Sequence, residues 1–183
     1  MSSPNLLREI DQLTQDFQEA FAGLSPRDLN WKQNPQTWSV AQCIDHLIVI
    51  NKTYFPIVQE LRAGTYKTPW HGRFPFLTRF FGNLVYNSVL PDRKRKIKTF
   101  PIWEPSYSEL PGDMPARFAE HQTALKELIQ SSADLIARGA VIASPANRVI
   151  VYTLERAFEI IVVHERRHLN QALEVGEKVN SEQ

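Results

Sequence analysis

Apolar residues recur along this chain at spacings of three and four, the period of an amphipathic helix, in four long stretches. The first carries Leu6, Ile10, Leu13, Phe17, Ala20 and Phe21, opened by Ser3-Pro4 and closed by Gly23. Serine followed by proline suits a helix start, with proline at the first helical position. A connector from Leu24-Ser25-Pro26 to Thr37 follows, with room for one short helical turn. The second helix opens at Ser39-Val40-Ala41-Gln42, a Ser-x-x-Gln capping box, and runs to Arg62-Ala63 before Gly64. Two adjacent apolar stripes predict that it is buried over a wide face: Ile44, Leu47/Ile48, Phe55 and Val58, and Cys43, His46, Ile50, Ile57 and Leu61. Pro56 removes one backbone donor and predicts a kink there.

The pattern breaks up between Thr65 and Asp113, where prolines alternate with aromatics such as Trp70, Phe74, Phe76, Phe80, Phe81 and Trp103. A short helix over 76–86 is expected, in a long connection whose aromatics pack onto the body; long connections of this kind are usually functional. A third helix is predicted from Pro115 to Arg138, stopped by Gly139. After a connector through Ser144-Pro145, the fourth starts near Thr153. The expected fold is all-α, a four-helix bundle with a long crossover loop between helices two and three. The 183 residues suit one domain, with 1–4 and 177–183 frayed.

The fourth helix carries the chemistry. Its inward seam reads Leu154, Ala157, Ile161, His164, His168 and Gln171, so two histidines stand where leucines would serve a core. Side chains four apart share one helical face, with Cβ atoms roughly 5–6 Å apart. Two imidazoles inside a core need partners for their ring nitrogens, and one divalent metal ion can serve both. The alternative for any single histidine on an apolar face is a hydrogen-bonded core residue. A metal site needs a third ligand, and His46, His121 and His71 all compete for that place. Cys43, one turn from His46, reads as a small buried apolar residue rather than a ligand.

Composition narrows the function without choosing it. A formal net charge of +1 gives no global field to draw in nucleic acid or an anionic membrane. No apolar run reaches the ~20 residues needed to span a bilayer, and the N-terminus lacks the marks of a signal peptide. A single cysteine leans towards a reducing, cytoplasmic setting. The basic run Arg93-Lys94-Arg95-Lys96-Ile97-Lys98 reads as a solvated loop, with anion binding as the alternative.

Trp38-Ser39 at a helix start, His46-Leu47 soon after it, and a late His164-x-x-Arg167-His168-x-x-Gln171 together resemble the DinB/YfiT-like metalloprotein superfamily. Lys98-Thr99 before Phe100-Pro101 also resembles a loop signature of some members. The resemblance runs over nearly the whole chain. It implies a bacterial four-helix bundle holding one divalent metal ion, zinc or nickel first, iron or manganese after them. Carried over residue by residue, it implies His46, His164 and His168 as the ligands, and often a homodimer.

Three neutral histidines would leave a coordination position open, the pattern of a catalytic rather than a structural site. The leading expectation is an enzyme activating a low-molecular-weight thiol against a small electrophile, the version the resemblance favours. A metal-dependent hydrolase comes second, and a non-catalytic metal-bearing stress or binding module is the reading from another class. Arg167 and Gln171 are expected to orient groups at the site, and Glu165 to act on water. The run His164-Glu165-Arg166-Arg167-His168 also fits the His-Glu-x-x-His motif of zinc proteases, in which the glutamate is a general base. The extended form of that motif requires glycine at 171 and histidine at 174, where this chain has Gln171 and Glu174. A small-molecule substrate is therefore expected, and neither nucleic acid nor membrane.

Overall fold

The computed structural model of the chain describes residues 3–91, 103–105 and 108–181. It is mainly helical. In chain order come α1 (Ser3–Phe21), the short α2 (Pro26–Asn30), α3 (Val40–Lys52), α4 (Tyr54–Ala63), a single 3-10 turn (Trp70–Arg73) and α5 (Pro75–Ser88). They are followed by α6 (Met114–Ser131), α7 (Ala133–Ala137), the strands β1 (Val141–Ser144) and β2 (Asn147–Thr153), and α8 (Leu154–Ser181). The basic run 93–98 and the Lys98-Thr99 signature lie outside the described residues.

The stripe predicted for α1 is its buried face: Leu6, Ile10, Leu13, Phe17 and Phe21 are all sealed from solvent. That face lies against α6 and α8, and α3 lies against the same two helices. Phe17 meets Phe118 of α6 with ring centroids 4.3 Å apart. The capping box at Ser39 is closed in both directions, Gln42 N–H donating to Ser39 Oγ at 3.2 Å and Ser39 N–H to Gln42 Oε1 at 3.3 Å. It fixes the start of α3, and so the height at which His46 enters the core; a cap of this kind contributes about 1 kcal/mol.

Where one kinked helix was expected over 39–63, two segments stand end to end. Thr53 separates α3 from α4 while keeping helical dihedrals of φ −67° and ψ −17°, so the break is a kink without a loop. Pro56 accounts for it: it has no N–H for the Lys52 carbonyl, and its ring crowds that carbonyl. Gly64 ends α4 at a φ of 68°, a left-handed conformation that costs glycine nothing. The third predicted helix is likewise divided at Ser132, whose hydroxyl turns back to the Leu128 carbonyl at 2.7 Å.

Three expectations are corrected. The fold is not purely helical: β1 and β2 form an antiparallel hairpin, pairing Val141 with Thr153 and Ile142 with Tyr152, where a connector was predicted. The tail after Gly176 belongs to α8, which continues with Val179 buried and Gly176 set close against the Phe21 ring. The aromatics of 65–91 do not all pack inward. α5 rests on β2 and α8, but Trp70, Phe76 and Phe80 are 73%, 66% and 59% exposed. Among the described residues no helix is long and apolar enough to cross a membrane.

One polar network lies in the core. Glu165 is fully buried and accepts hydrogen bonds from Asn51 of α3 at 2.7 Å and Gln122 of α6 at 2.9 Å. Burial pushes its carboxyl up to about 7, against those two bonds and the nearby Arg166 that favour the charged form. The residue ties three helices together at one point. Glu165→Ala would strand two buried donors, each costing about 1–3 kcal/mol. The variant is expected to lose about 2–4 kcal/mol in urea unfolding; unchanged stability would show that the network contributes nothing.

Candidate metal centre

His46 reaches the core from α3, two turns after the capped start, while His164 and His168 stand one turn apart on α8. The packing of α3 on α8 brings the three rings together. Ring centroids are 5.2 Å apart for His46 and His164, 4.6 Å for His46 and His168, and 4.5 Å for His164 and His168. One nitrogen from each ring lies within 4.8 Å of the others, and the three form a group that can hold a metal ion. The Trp38 indole is stacked on His168, 17° from parallel, and tilted against His46 at 4.7 Å.

The hydrogen bonds around the rings decide which nitrogens are available. His46 Nδ1 lies 2.6 Å from the Trp103 carbonyl oxygen. A carbonyl only accepts, so Nδ1 carries the proton and Nε2 presents its lone pair. A backbone carbonyl on the far nitrogen is the usual way of orienting a ligating imidazole. Nε2 of His164 and Nε2 of His168 are 3.0 Å apart. For two imidazoles sharing a tetrahedral zinc ion the same separation would be about 3.3 Å, from Zn–N bonds near 2.05 Å. The donors therefore fit a divalent ion with a small opening of the rings.

Their electrostatics agree. Burial holds His46 down to about 4, against the Trp103 hydrogen bond and the nearby Asp45 carboxylate. It holds His168 down to about 3, helped by His46 and Arg167, with the Gln171 side chain acting the other way. His164 is pushed well below the usual range by burial, then by His168, His46 and Arg167, yet part of its surface is open. All three are neutral at physiological pH, the state in which imidazole binds a metal.

They border a cavity of about 770 Å³. Arg167 and Gln171 line it. Glu165 does not: it is turned towards Asn51 and Gln122, to which it is committed. A glutamate turned away cannot serve as the base of a His-Glu-x-x-His site, so the protease reading loses its central residue. The other competitors for the third ligand lie elsewhere. His121 packs on Phe55 at 5.9 Å, and His71 has Nε2 3.0 Å from the Val149 carbonyl. Cys43 is fully buried, its thiol pushed up to about 12 by burial alone, so it offers no thiolate.

Sequence reasoning missed the Trp103 carbonyl, which no spacing rule could place opposite His46. It also missed Tyr54, Tyr152 and Ser144, which line the far part of the cavity. A β-branched and aromatic run, Val149-Ile150-Val151-Tyr152, was the available signal for the second strand.

The fold and its three clustered imidazoles define a mainly helical protein with a candidate metal site in its core. The family model of the DinB superfamily matches residues 9–172, and the chain belongs to that superfamily. Comparisons with curated proteins and with solved structures gave no match.

Two predictions follow from the geometry. His46→Ala, purified beside the parent protein, is expected to lose tightly held metal while its helical circular dichroism persists; equal metal content would remove His46 from the site. The second concerns the metal-free protein. Below about pH 6.5 unfolded histidines take up protons, while folded His46 and His168 stay neutral down to about 4 and about 3. The unfolded state then binds more protons, so the stability present above pH 6.5 is lost as the pH falls towards those values. The loss is up to about 1.4 kcal/mol per pH unit for each histidine. Chelator-treated protein should melt progressively lower from pH 7 to pH 5, and a constant midpoint would contradict these depressed values.

Proposed function

We propose that this protein holds one divalent metal ion on His46, His164 and His168 and uses it to transfer a low-molecular-weight thiol to a small electrophile. Zinc or nickel suits three imidazoles best, with iron or manganese after them. In this reading α1, α3 with α4, α6 and α8 are the members of a four-helix bundle, and 65–113 is the crossover between its second and third members. The setting is the reducing cytoplasm, and the chain pairs as a homodimer.

One observation carries the proposal: three neutral imidazoles meet beside a large cavity, and among the described residues no fourth His, Cys, Asp or Glu completes the group. Structural zinc sites close themselves with four protein ligands, whereas catalytic ones leave a position for substrate or water. A metal ion there would lower the pKa of a thiol or water enough to form the anion at neutral pH. The chain's own residues do the remaining work. Trp103 fixes the tautomer of His46, and Trp38 holds the plane of His168. Arg167 brings a positive charge to the cavity wall, suited to an anionic group on the thiol. In the transfer, a bond forms between sulfur and the electrophilic carbon, and the bond to the leaving group breaks. The thiol proton passes to solvent.

Hydrolysis ranks second because Glu165, the carboxylate between the two histidines of α8 in sequence, is turned away. A non-catalytic binding module ranks after it. A thiol-conjugation assay over model electrophiles, comparing the zinc-loaded protein with His164→Ala, separates these readings. Transfer well above background in the parent and at background in the variant is expected. Background rates in both would favour the binding module.

A further inference from the structure

The cavity extends well beyond the imidazoles. From His46 it runs along the seam of α3 and α8 past Ile50 and Ile160 to Tyr54, eight residues further on. At 1.5 Å per residue that is roughly 12 Å. Val85 of α5 and Ile150 of β2 line the same stretch, so the middle of the cavity is apolar. Its far end is not. Tyr54 Oη and Tyr152 Oη are 3.0 Å apart, and the Ser144 side chain stands beside the Tyr152 hydroxyl. All three residues are more than nine-tenths buried, and all three line the cavity.

Counting protons shows what this pair of hydroxyls lacks. Two tyrosine hydroxyls bring two donors, and one hydrogen bond joins them. One donor is left over, on Tyr54 or on Tyr152 according to the direction of that bond. Among the described residues no acceptor is assigned to it. Burial raises both tyrosines above their ordinary range, so both remain protonated. A buried donor without an acceptor costs free energy until a ligand or a water supplies one.

We infer that the Tyr54–Tyr152 hydroxyl pair, with Ser144 beside it, is a second anchoring point of the cavity, which receives the hydrogen-bond-accepting end of an elongated, largely apolar substrate. The reacting end of that substrate lies at the imidazoles, which is the part of the inference that rests on the proposed function. The accepting group is a hydroxyl, ether or carbonyl oxygen. A purely apolar tail leaves the donor stranded, and an ammonium group meets a donor with a donor. The apolar stretch sets the length, and the hydroxyl pair selects the terminal group.

The test uses ω-mercaptoalkanols of three to eight carbons and the matching alkanethiols as probes, with binding read by tryptophan fluorescence, since Trp38 and Trp103 line the cavity. It is run on zinc-loaded and on chelator-treated protein. At the length that spans the cavity, the terminal hydroxyl should improve affinity about 3- to 10-fold over the methyl-ended thiol. The double variant Tyr54→Phe/Tyr152→Phe, with circular dichroism like the parent's, removes both donors and should reduce that ratio towards one. Short probes should show no preference in any form. A hydroxyl preference that persists in chelated protein, without any effect of zinc on thiol binding, overturns the metal reading and leaves the anchoring point standing. A ratio of one at every length, a ratio unchanged in the double variant, or no binding by any probe overturns the inference.

Discussion

The hydrogen bond from His46 to the Trp103 carbonyl governs the rest of the site. It commits one ring nitrogen to protein and turns the other, with its lone pair, towards His164 and His168. Two further, largely buried neutral rings then meet the first at the edge of the cavity. Imidazoles satisfy one another poorly, because each offers one donor and one acceptor at opposite edges. The nitrogens left facing one another form a group that can hold a cation. Keeping them there costs stability in the absence of that cation, a cost borne by the surrounding packing of α1, α3, α6 and α8.

Burial acts differently on the two sides of α8. Towards the cavity it holds histidines neutral and available. Towards α3 and α6 it encloses Glu165, which serves as a joint between helices through Asn51 and Gln122. Neighbours in sequence therefore have unrelated tasks. A helix advances about 100° per residue, so the residue after a ligand looks into different surroundings. A motif written as adjacent letters hides that rotation.

The helical core was legible because burial imposes a period that sequence preserves. Leu6 to Phe21 on α1, the cap at Ser39 and the seam through His164 and His168 could each be read before any coordinates. The third histidine could not be isolated by spacing, since His46, His121 and His71 all had claims; only the packing of α3 on α8 separates them. Resemblance had pointed to His46, and the geometry gives that choice a physical reason. The hairpin was hidden because β2 runs directly into α8 at Thr153–Leu154, with no glycine, proline or loop between strand and helix to mark where one ends. Missing it also concealed Tyr152, whose partner Tyr54 lies almost a hundred residues away in sequence. The exposure of Trp70, Phe76 and Phe80 was equally out of reach, because periodicity reports which residues share a face and not whether anything covers it.

The account is tested most directly by X-ray absorption at the zinc edge on protein loaded with one equivalent of zinc. It predicts three imidazole nitrogens at about 2.0–2.1 Å, together with a lighter ligand that a thiol replaces. A shell of four protein ligands, or one in which imidazole scattering is absent, would contradict it.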